Sequence, residues 1–260
     1  MAKIYTPRWI KEKRTPQFWA APTPSNPFNL AGHGSKQYLW GNVPALDILN
    51  LKDNEGITSI GDINLLFAAS GDLRNVVKTV ATVPEDYSGG SVVVVNDFNF
   101  AIVARNVILL LIAMVFDPDD ATPLMIHLWY SATISSLMLK MIRESILPYI
   151  EDVCVKIQYK PDSVAQAKTF RINDRSLRVV LRKLEWFALK KALGVPDGLN
   201  LEEAKSIRRR TTMASTRKDF VDRALYCQPP AMRTGVVRFR EDGTLLPYGV
   251  SHALFDTPNP

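Results

Sequence analysis

The chain has 260 residues, of which 47% are hydrophobic and 22% are charged. This composition is typical of a globular protein and excludes a disordered or fibrous one. The formal net charge of +6 is compatible with an anionic partner but is too small to require one. Two cysteines exclude a disulfide framework, and they form no metal motif with the three scattered histidines. We therefore expect a reduced protein without a metal, in the cytoplasm or the nucleus.

The apolar stretches of the chain are too short to predict a membrane span. The most apolar run, residues 107–116, is about half as long as a membrane-spanning helix. The next uncharged stretch, residues 121–139, contains Pro123, His127 and several hydroxyl side chains. We predict buried helices in both and no membrane contact. The proline-rich residues 1–37 predict an irregular arm that lies on the surface of the domain.

Strand and helix signals alternate after the arm. The predicted elements are a helix at 44–51, a polar turn at 52–56, a strand at 63–69, a helix at 73–82, a strand at 91–95 and a helix at 101–116. Short apolar strands without alternation are typical of a parallel sheet buried on both faces. The order predicts an α/β fold, a Rossmann-like (methyltransferase-like) doubly wound sheet with right-handed crossovers. In the 73–82 helix, Val76, Val77 and Val80 are expected to form the buried face.

Helices are predicted to dominate the rest of the chain. Pro148 is expected to divide a long helix near residue 147. The next strand is expected within 150–159, with Cys154 buried in it. An amphipathic helix is predicted at 175–193 and another at 201–224, the latter weak at 211–216 and capped by Asn200.

Near the C-terminus, a hairpin is predicted from strands at 234–239 and 244–248 around the turn Glu241-Asp242-Gly243. We expect three parts of one domain: an arm at 1–37, a Rossmann-like core at 38–160, and a helical extension with the hairpin at 161–260.

The ends of the two predicted strands carry the candidate ligand site. A strand, a glycine turn and a helix bring backbone N–H groups close to an anionic ligand, and an acidic residue on the next strand can hold a ribose. This placement is that of the cofactor edge of an S-adenosylmethionine-dependent methyltransferase. The candidate cofactor contacts are Ser70, Gly71, Asp72, Arg74, Asn75, Asn96, Asp97, Arg105 and Asn106.

A structural interpretation of the same residues stays open, because Gly71 is the only glycine of the pattern. In that interpretation Asp72 and Asp97 are helix N-caps and Arg105 pairs with one of them. No catalytic residue is predicted, because Ser70 lacks the surrounding nucleophile elbow and Cys154 has no neighbouring histidine. His127, Trp129 and Tyr130 are expected in the core.

Three segments of the chain resemble a known family. They are YLWGNVPALDIL, LLFAASGDLRNVVKTVA and VVVVNDFNFAIVARNVILLLIA, within residues 38–150, and GVVRFREDGTLLPYG is similar to the downstream segment of that family. The family is a fungal group of uncharacterised domains, found beside MYND zinc fingers and similar to the N-terminal region of dynein axonemal assembly factors. The resemblance implies a methyltransferase-like scaffold without an assigned activity. It places Gly71, Asp72, Arg74 and Asn75 at one signature and Asp97, Arg105 and Asn106 at a second.

The sequence thus predicts a non-catalytic protein-interaction or assembly module. The alternatives are an S-adenosylmethionine-dependent methyltransferase and a nucleic-acid-binding protein that uses the basic residues 205–218. The charge pattern there favours a solvated helix face over a nucleic-acid site. An acidic partner would meet the basic side chains Arg208, Arg209, Arg210, Arg217 and Lys218.

Overall fold

The computed structural model describes residues 5–16, 40–41, 44–54, 56, 61–247 and 249–260, without the side chain of Thr216. Residues 17–37 of the predicted arm lie outside the described residues. The helices are α1 (Arg8–Lys11), α2 (Arg74–Ala81), α3 (Phe100–Val115), α4 (Pro118–Tyr130), α5 (Ser136–Ile157), α6 (Lys183–Lys191), α7 (Leu201–Thr212), α8 (Lys218–Cys227) and α9 (Pro230–Asp242). The strands are β1 (Ile63–Ala68), β2 (Ser91–Asn96), β3 (Thr133–Ile134), β4 (Ala165–Ile172), β5 (Arg175–Arg182) and β6 (Thr257–Pro258).

The strands form three sheets of two strands each in the described part of the chain. β1 and β2 are parallel, in register from Ile63 opposite Ser91 to Ala68 opposite Asn96, and α2 connects them. β4 and β5 form an antiparallel hairpin, and β3 pairs with β6 in antiparallel fashion. The fold is therefore mixed α/β with small sheets, and the predicted strand–helix–strand–helix order from β1 to α3 is confirmed.

The core is built around α3. Leu109, Leu111 and Ile112 of this helix have no exposed surface, and the helix packs against α4 and α5. Ile146 and Ile150 of α5 are also fully buried. Because α3 and α4 are packed in this way, the prediction of buried helices is confirmed. In the described residues, no helix is long and apolar enough to cross a bilayer.

One face of the β1–β2 pair is exposed, so burial on both faces was a wrong expectation. Leu65 and Val93 pack against the core, whereas Leu66, Val92 and Val94 are 66%, 56% and 49% exposed. The α2 helix likewise buries Val76 and Thr79, while the predicted core residues Val77 and Val80 are exposed. A continuous apolar strand predicts burial on both faces only where the fold supplies a second layer.

Helix α5 contradicts two predictions for its second half. It runs unbroken through Pro148, and no strand lies at 150–159. The buried residues of this half, Ile150, Val153, Cys154 and Ile157, recur at helical spacing. Their packing holds the helix together where proline removes one backbone hydrogen bond.

The predicted helix at 175–193 is a strand followed by a helix. Val179 and Leu181 of β5 are buried and alternate with exposed residues, which is the period of a half-buried strand. Asn173, with φ of 55°, supplies the turn of the β4–β5 hairpin. The α6 helix begins only at Lys183.

The C-terminal hairpin prediction is also wrong. Residues 234–239 lie inside α9, which ends at Gly243 in the left-handed conformation with φ of 78°. The last residues instead return to α4. There the Asn259 amide donates to the carbonyl oxygens of His127, Leu128 and Ser131 at 3.2, 3.0 and 2.7 Å.

Two other segments differ in part from expectation. Residues 44–51 are not helical; they lie along α2, where the Ile48 N–H donates to Thr79 Oγ1 at 2.9 Å. The predicted Asn200 cap is confirmed, because its side chain accepts from the Glu203 N–H at 2.9 Å. The helix that it caps ends at Thr212, inside the segment predicted to be weak, and α8 follows separately.

Candidate functional site

The loops that follow β1 and β2 meet at the carboxyl ends of the two strands. The Ser70 N–H donates to the Asn96 carbonyl oxygen at 2.9 Å, and the Gly71 N–H donates to Asp97 Oδ2 at 2.9 Å. The side-chain amide of Asn106 on α3 donates to the Gly71 carbonyl oxygen at 2.8 Å. Parallel strands end at the same edge, so five of the nine predicted site residues lie together here.

Asp97 is not the N-cap that the structural interpretation predicted, and Asp72 fulfils that prediction only in part. The cap of α3 is Asn99, whose Oδ1 accepts from the Ala101 N–H at 3.0 Å. Asp97 Oδ1 accepts from the Asn99 N–H at 2.8 Å, so Asp97 braces the turn before the helix. The cap position of α2 is Leu73, which has no side-chain hydrogen bond to the helix, but Asp72 Oδ1 accepts from the N–H of Arg74, the first residue of α2, at 3.2 Å.

Asp72 carries the buried carboxyl group of this region. Its side chain is 3% exposed; Oδ1 accepts from Arg74 Nε at 2.8 Å and Oδ2 from the Gly41 N–H at 2.6 Å. Arg74, and not the predicted Arg105, is thus the ion-pair partner of Asp72. Arg105 lies close enough for the charge of Asp72 to raise its pKa, but burial lowers that pKa more.

Asn75 completes the set of predicted contacts on the α2 side. Its Oδ1 accepts from the Leu46 N–H at 2.9 Å and ties residues 44–51 to the helix. Gly71 has φ of 59°, and a methyl group placed on it would meet no atom within 4 Å. The glycine is therefore explained by its backbone conformation and not by a close neighbour.

These contacts do not fit a cradle for S-adenosylmethionine. The Gly71 N–H, which would face the cofactor, already donates to Asp97, and both oxygens of that carboxylate accept backbone N–H groups. Asn106 Oδ1 is buried and accepts no hydrogen bond from the described residues, but one such acceptor does not hold a nucleoside. Cofactor binding by the nine residues stays a prediction.

Replacing Asp97 with alanine is expected to lower the free energy of unfolding by about 1–2 kcal/mol, because two backbone N–H groups lose their acceptor. Urea unfolding, followed by circular dichroism, measures the change. Asp86→Ala, at an exposed carboxylate of the α2–β2 loop, is the matched control and should change the value little. Equal stabilities of the two variants would contradict the bracing role of Asp97.

His127, Trp129 and Tyr130 lie in or against the core, as expected. His127 is 9% exposed, and its Nδ1 lies 3.0 Å from Ser131 Oγ. Burial lowers the pKa of the imidazole, so the folded protein favours the neutral ring. Trp129 and Tyr130 stack with ring centroids 5.1 Å apart. The arrangement is that of a structural histidine and not of a general base.

The neutral state of His127 predicts a pH dependence of stability. The unfolded chain gains the proton at a higher pH than the folded chain does. Stability is therefore complete above the unfolded pKa of about 6.5 and is lost as the pH falls through the lower folded pKa. Free energies of unfolding in urea from neutral to mildly acidic pH should show this slope in the natural chain and in the control His252→Asn. The slope should be smaller in His127→Asn, and identical slopes in all three proteins would contradict the prediction.

The basic residues of α7 do not share one surface. Arg208 is half-buried, whereas Arg209 and Arg210 are exposed. Arg208 lies four positions from buried Ala204 and four from buried Thr212, so helical periodicity could have placed it on the inner face. The acidic-partner hypothesis for the basic run therefore no longer includes Arg208 as an exposed contact.

The described residues hold no cluster of three side chains suited to a metal. Cys154 is buried, its Sγ–H donates to the Trp186 carbonyl oxygen at 3.5 Å, and burial raises the pKa of the thiol. A buried thiol with a raised pKa is a poor nucleophile.

Comparison with known families gives one match. A family model described as "Domain of unknown function (DUF4470)" matches residues 39–134. This part of the chain is similar to that uncharacterised domain. The matched region includes β1, α2, β2, α3 and α4, and hence both turns of the candidate site. No curated protein and no solved structure matches the chain. The fungal, MYND-finger and dynein-assembly associations stay predictions.

Proposed function

We propose that this chain is a non-catalytic protein-interaction module and that it docks a partner on the exposed face of β1 and β2. The polar groups of the candidate cofactor site support the first part. Asp72, Asp97 and Asn106 each bind another turn or helix of the same chain, so their contacts account for them as structural residues.

The exposed sheet face supports the second part. We define the β1–β2 face as Leu66, Val92 and Val94, each about half exposed or more. Leu66 pairs with Val94 across the two strands, so their side chains lie next to each other on this face. Parallel strands are normally covered on both sides, and contiguous exposed apolar side chains are typical of a docking surface.

The chemistry of the face specifies the partner. The other residues that point to the same side are Asn64, Ala68 and Asn96, so this face carries no charge. An apolar centre with a neutral polar rim suits the apolar stripe of an amphipathic helix, the element that usually covers a parallel sheet. We propose a partner protein that presents such a helix.

The proposal is tested by site-specific photo-crosslinking in cells. A photoreactive amino acid at Val94 is expected to link one partner, whereas the same group at Val180, an exposed valine of β5, should not. The identified partner is then purified and its affinity measured with the variants Leu66→Asp and Val180→Asp. We expect about tenfold or greater weakening with the first variant only. An equal effect of both variants would contradict docking on this face.

Two further measurements have outcomes that would contradict the proposal. Light scattering that finds a dimer, dissociated by Leu66→Asp, would make the occupant a second copy of this chain. Calorimetry that finds micromolar binding of S-adenosylmethionine, lost in Asp97→Ala, would favour the methyltransferase alternative instead.

A further inference from the structure

A cavity of about 250 Å³ lies at the ends of α4, α7 and α9. Its wall includes the rings of Trp40, Tyr130 and Phe239 and the side chain of Arg240. The Trp40 ring centroid lies 5.9 Å from that of Tyr130 and 5.8 Å from that of Phe239. The wall of the cavity therefore combines three aromatic rings with a guanidinium group.

A second guanidinium, that of Arg208, packs against the Trp40 ring of the cavity wall. Arg208 Cζ lies 4.9 Å from the centroid of Trp40, and its Nη1 donates to the Tyr130 carbonyl oxygen at 2.6 Å. This contact fixes the Trp40 ring and adds positive charge beside the cavity. A methyl group on Gly243 would come within 2.7 Å of Arg208 Cγ, so the backbone also approaches this side chain closely.

Two partly buried arginine side chains, Arg208 and Arg240, lie at the cavity. Burial and, to a smaller extent, the nearby charge of Arg105 lower the pKa of Arg208 to about 10. Burial and the charge of Arg217 lower the pKa of Arg240. In the part of the chain that the structure describes, no carboxylate forms an ion pair with Arg208 or Arg240.

We infer that this cavity binds a small organic anion, a carboxylate or phosphate ester carried on a single planar ring. The aromatic wall suits the ring, and Arg240 suits the anionic group, which a guanidinium binds through paired hydrogen bonds. A cavity of about 150 Å³ holds benzene, so the space here accommodates one ring and one anionic substituent. An anion would also offset the cost of partly burying the charged guanidinium groups of Arg208 and Arg240.

The test uses the full chain and phenyl phosphate as the probe, with phenol and inorganic phosphate as the neutral and ring-free comparisons. Calorimetry is expected to show saturable binding of phenyl phosphate and weaker binding of both other compounds. Arg240→Gln should weaken phenyl phosphate binding about tenfold or more. Arg238→Gln, an exposed arginine of the same helix, is the matched control and should not.

A second variant tests the cavity without removing a charge. Val236 lines the same space, and Val236→Phe should fill it and abolish binding while Arg240 remains. Circular dichroism and the unfolding midpoint check that each variant is folded. The inference is overturned if phenol or inorganic phosphate binds as tightly as phenyl phosphate. It is also overturned if Arg240→Gln and Arg238→Gln weaken phenyl phosphate binding equally, or if phenyl phosphate shows no saturable binding.

Discussion

Replacing Trp186 with alanine is expected to lower the free energy of unfolding by about 3–5 kcal/mol. Trp186 has no exposed surface, and its indole Nε1–H donates to the Gln166 carbonyl oxygen of β4 at 3.1 Å. Its ring meets Phe170 of the same strand edge to face, with centroids 6.4 Å apart. The residue therefore joins α6 to the β4–β5 hairpin, and alanine would leave both a cavity and an unpaired carbonyl oxygen.

Urea unfolding measures this effect, with Leu184→Ala as the control on the same helix. Leu184 is 62% exposed, so its loss should change stability by no more than about 0.5 kcal/mol. A loss below about 1 kcal/mol for Trp186→Ala would contradict the joining role, because fully buried tryptophans rarely cost so little to truncate.

The confirmed part of the fold was predictable because its apolar runs are separated by clear turn residues. β1 leads into a helix after a Ser-Gly-Asp turn, and β2 leads into a helix after an Asn-Asp turn. Three of the wrong assignments, at 150–159, 175–182 and 234–239, are short runs in which apolar and polar residues are mixed. In such runs helix and strand periods fit equally well, and packing against distant elements decides between them.

The sequence predicts which turns of the candidate site lie together but does not predict which of their side chains pair. That Gly71 and Asp97 lie together follows from two parallel strands ending at one edge. Which side chains then form ion pairs does not follow from the sequence. Asp72 pairs with Arg74, two positions away, whereas Arg105 was the partner expected from the sequence. The cavity beside Trp40 could not be predicted, since it joins residues more than 150 positions apart, Trp40 and Phe239 among them.

Replacing Asp222 with alanine is expected to lower the free energy of unfolding by about 2–4 kcal/mol, the second largest effect. Asp222 on α8 is 2% exposed. Its Oδ1 accepts from the Tyr5 hydroxyl at 2.9 Å, and its Oδ2 accepts from the Arg8 N–H at 2.5 Å. One buried carboxylate thus holds both ends of residues 5–8 on the domain, so alanine should release this segment and leave its donors unpaired.

Tyr5→Phe separates the two contacts, because it removes one hydrogen bond and leaves the carboxylate and the Arg8 N–H in place. Tyr5→Phe should lower the free energy of unfolding by about 0.5–1.5 kcal/mol, and Asp174→Ala at an exposed turn should lower it by less.

Burial and the neighbouring Asp222 raise the pKa of Tyr5 to about 12. The unfolded phenol ionises near pH 10, so this contribution to stability is complete below pH 10 and is lost as the pH rises toward the folded pKa of about 12. Unfolding measured across that range should show the loss in the natural chain and not in Tyr5→Phe; a shared slope would mean that the Tyr5 hydroxyl does not bind Asp222 in solution.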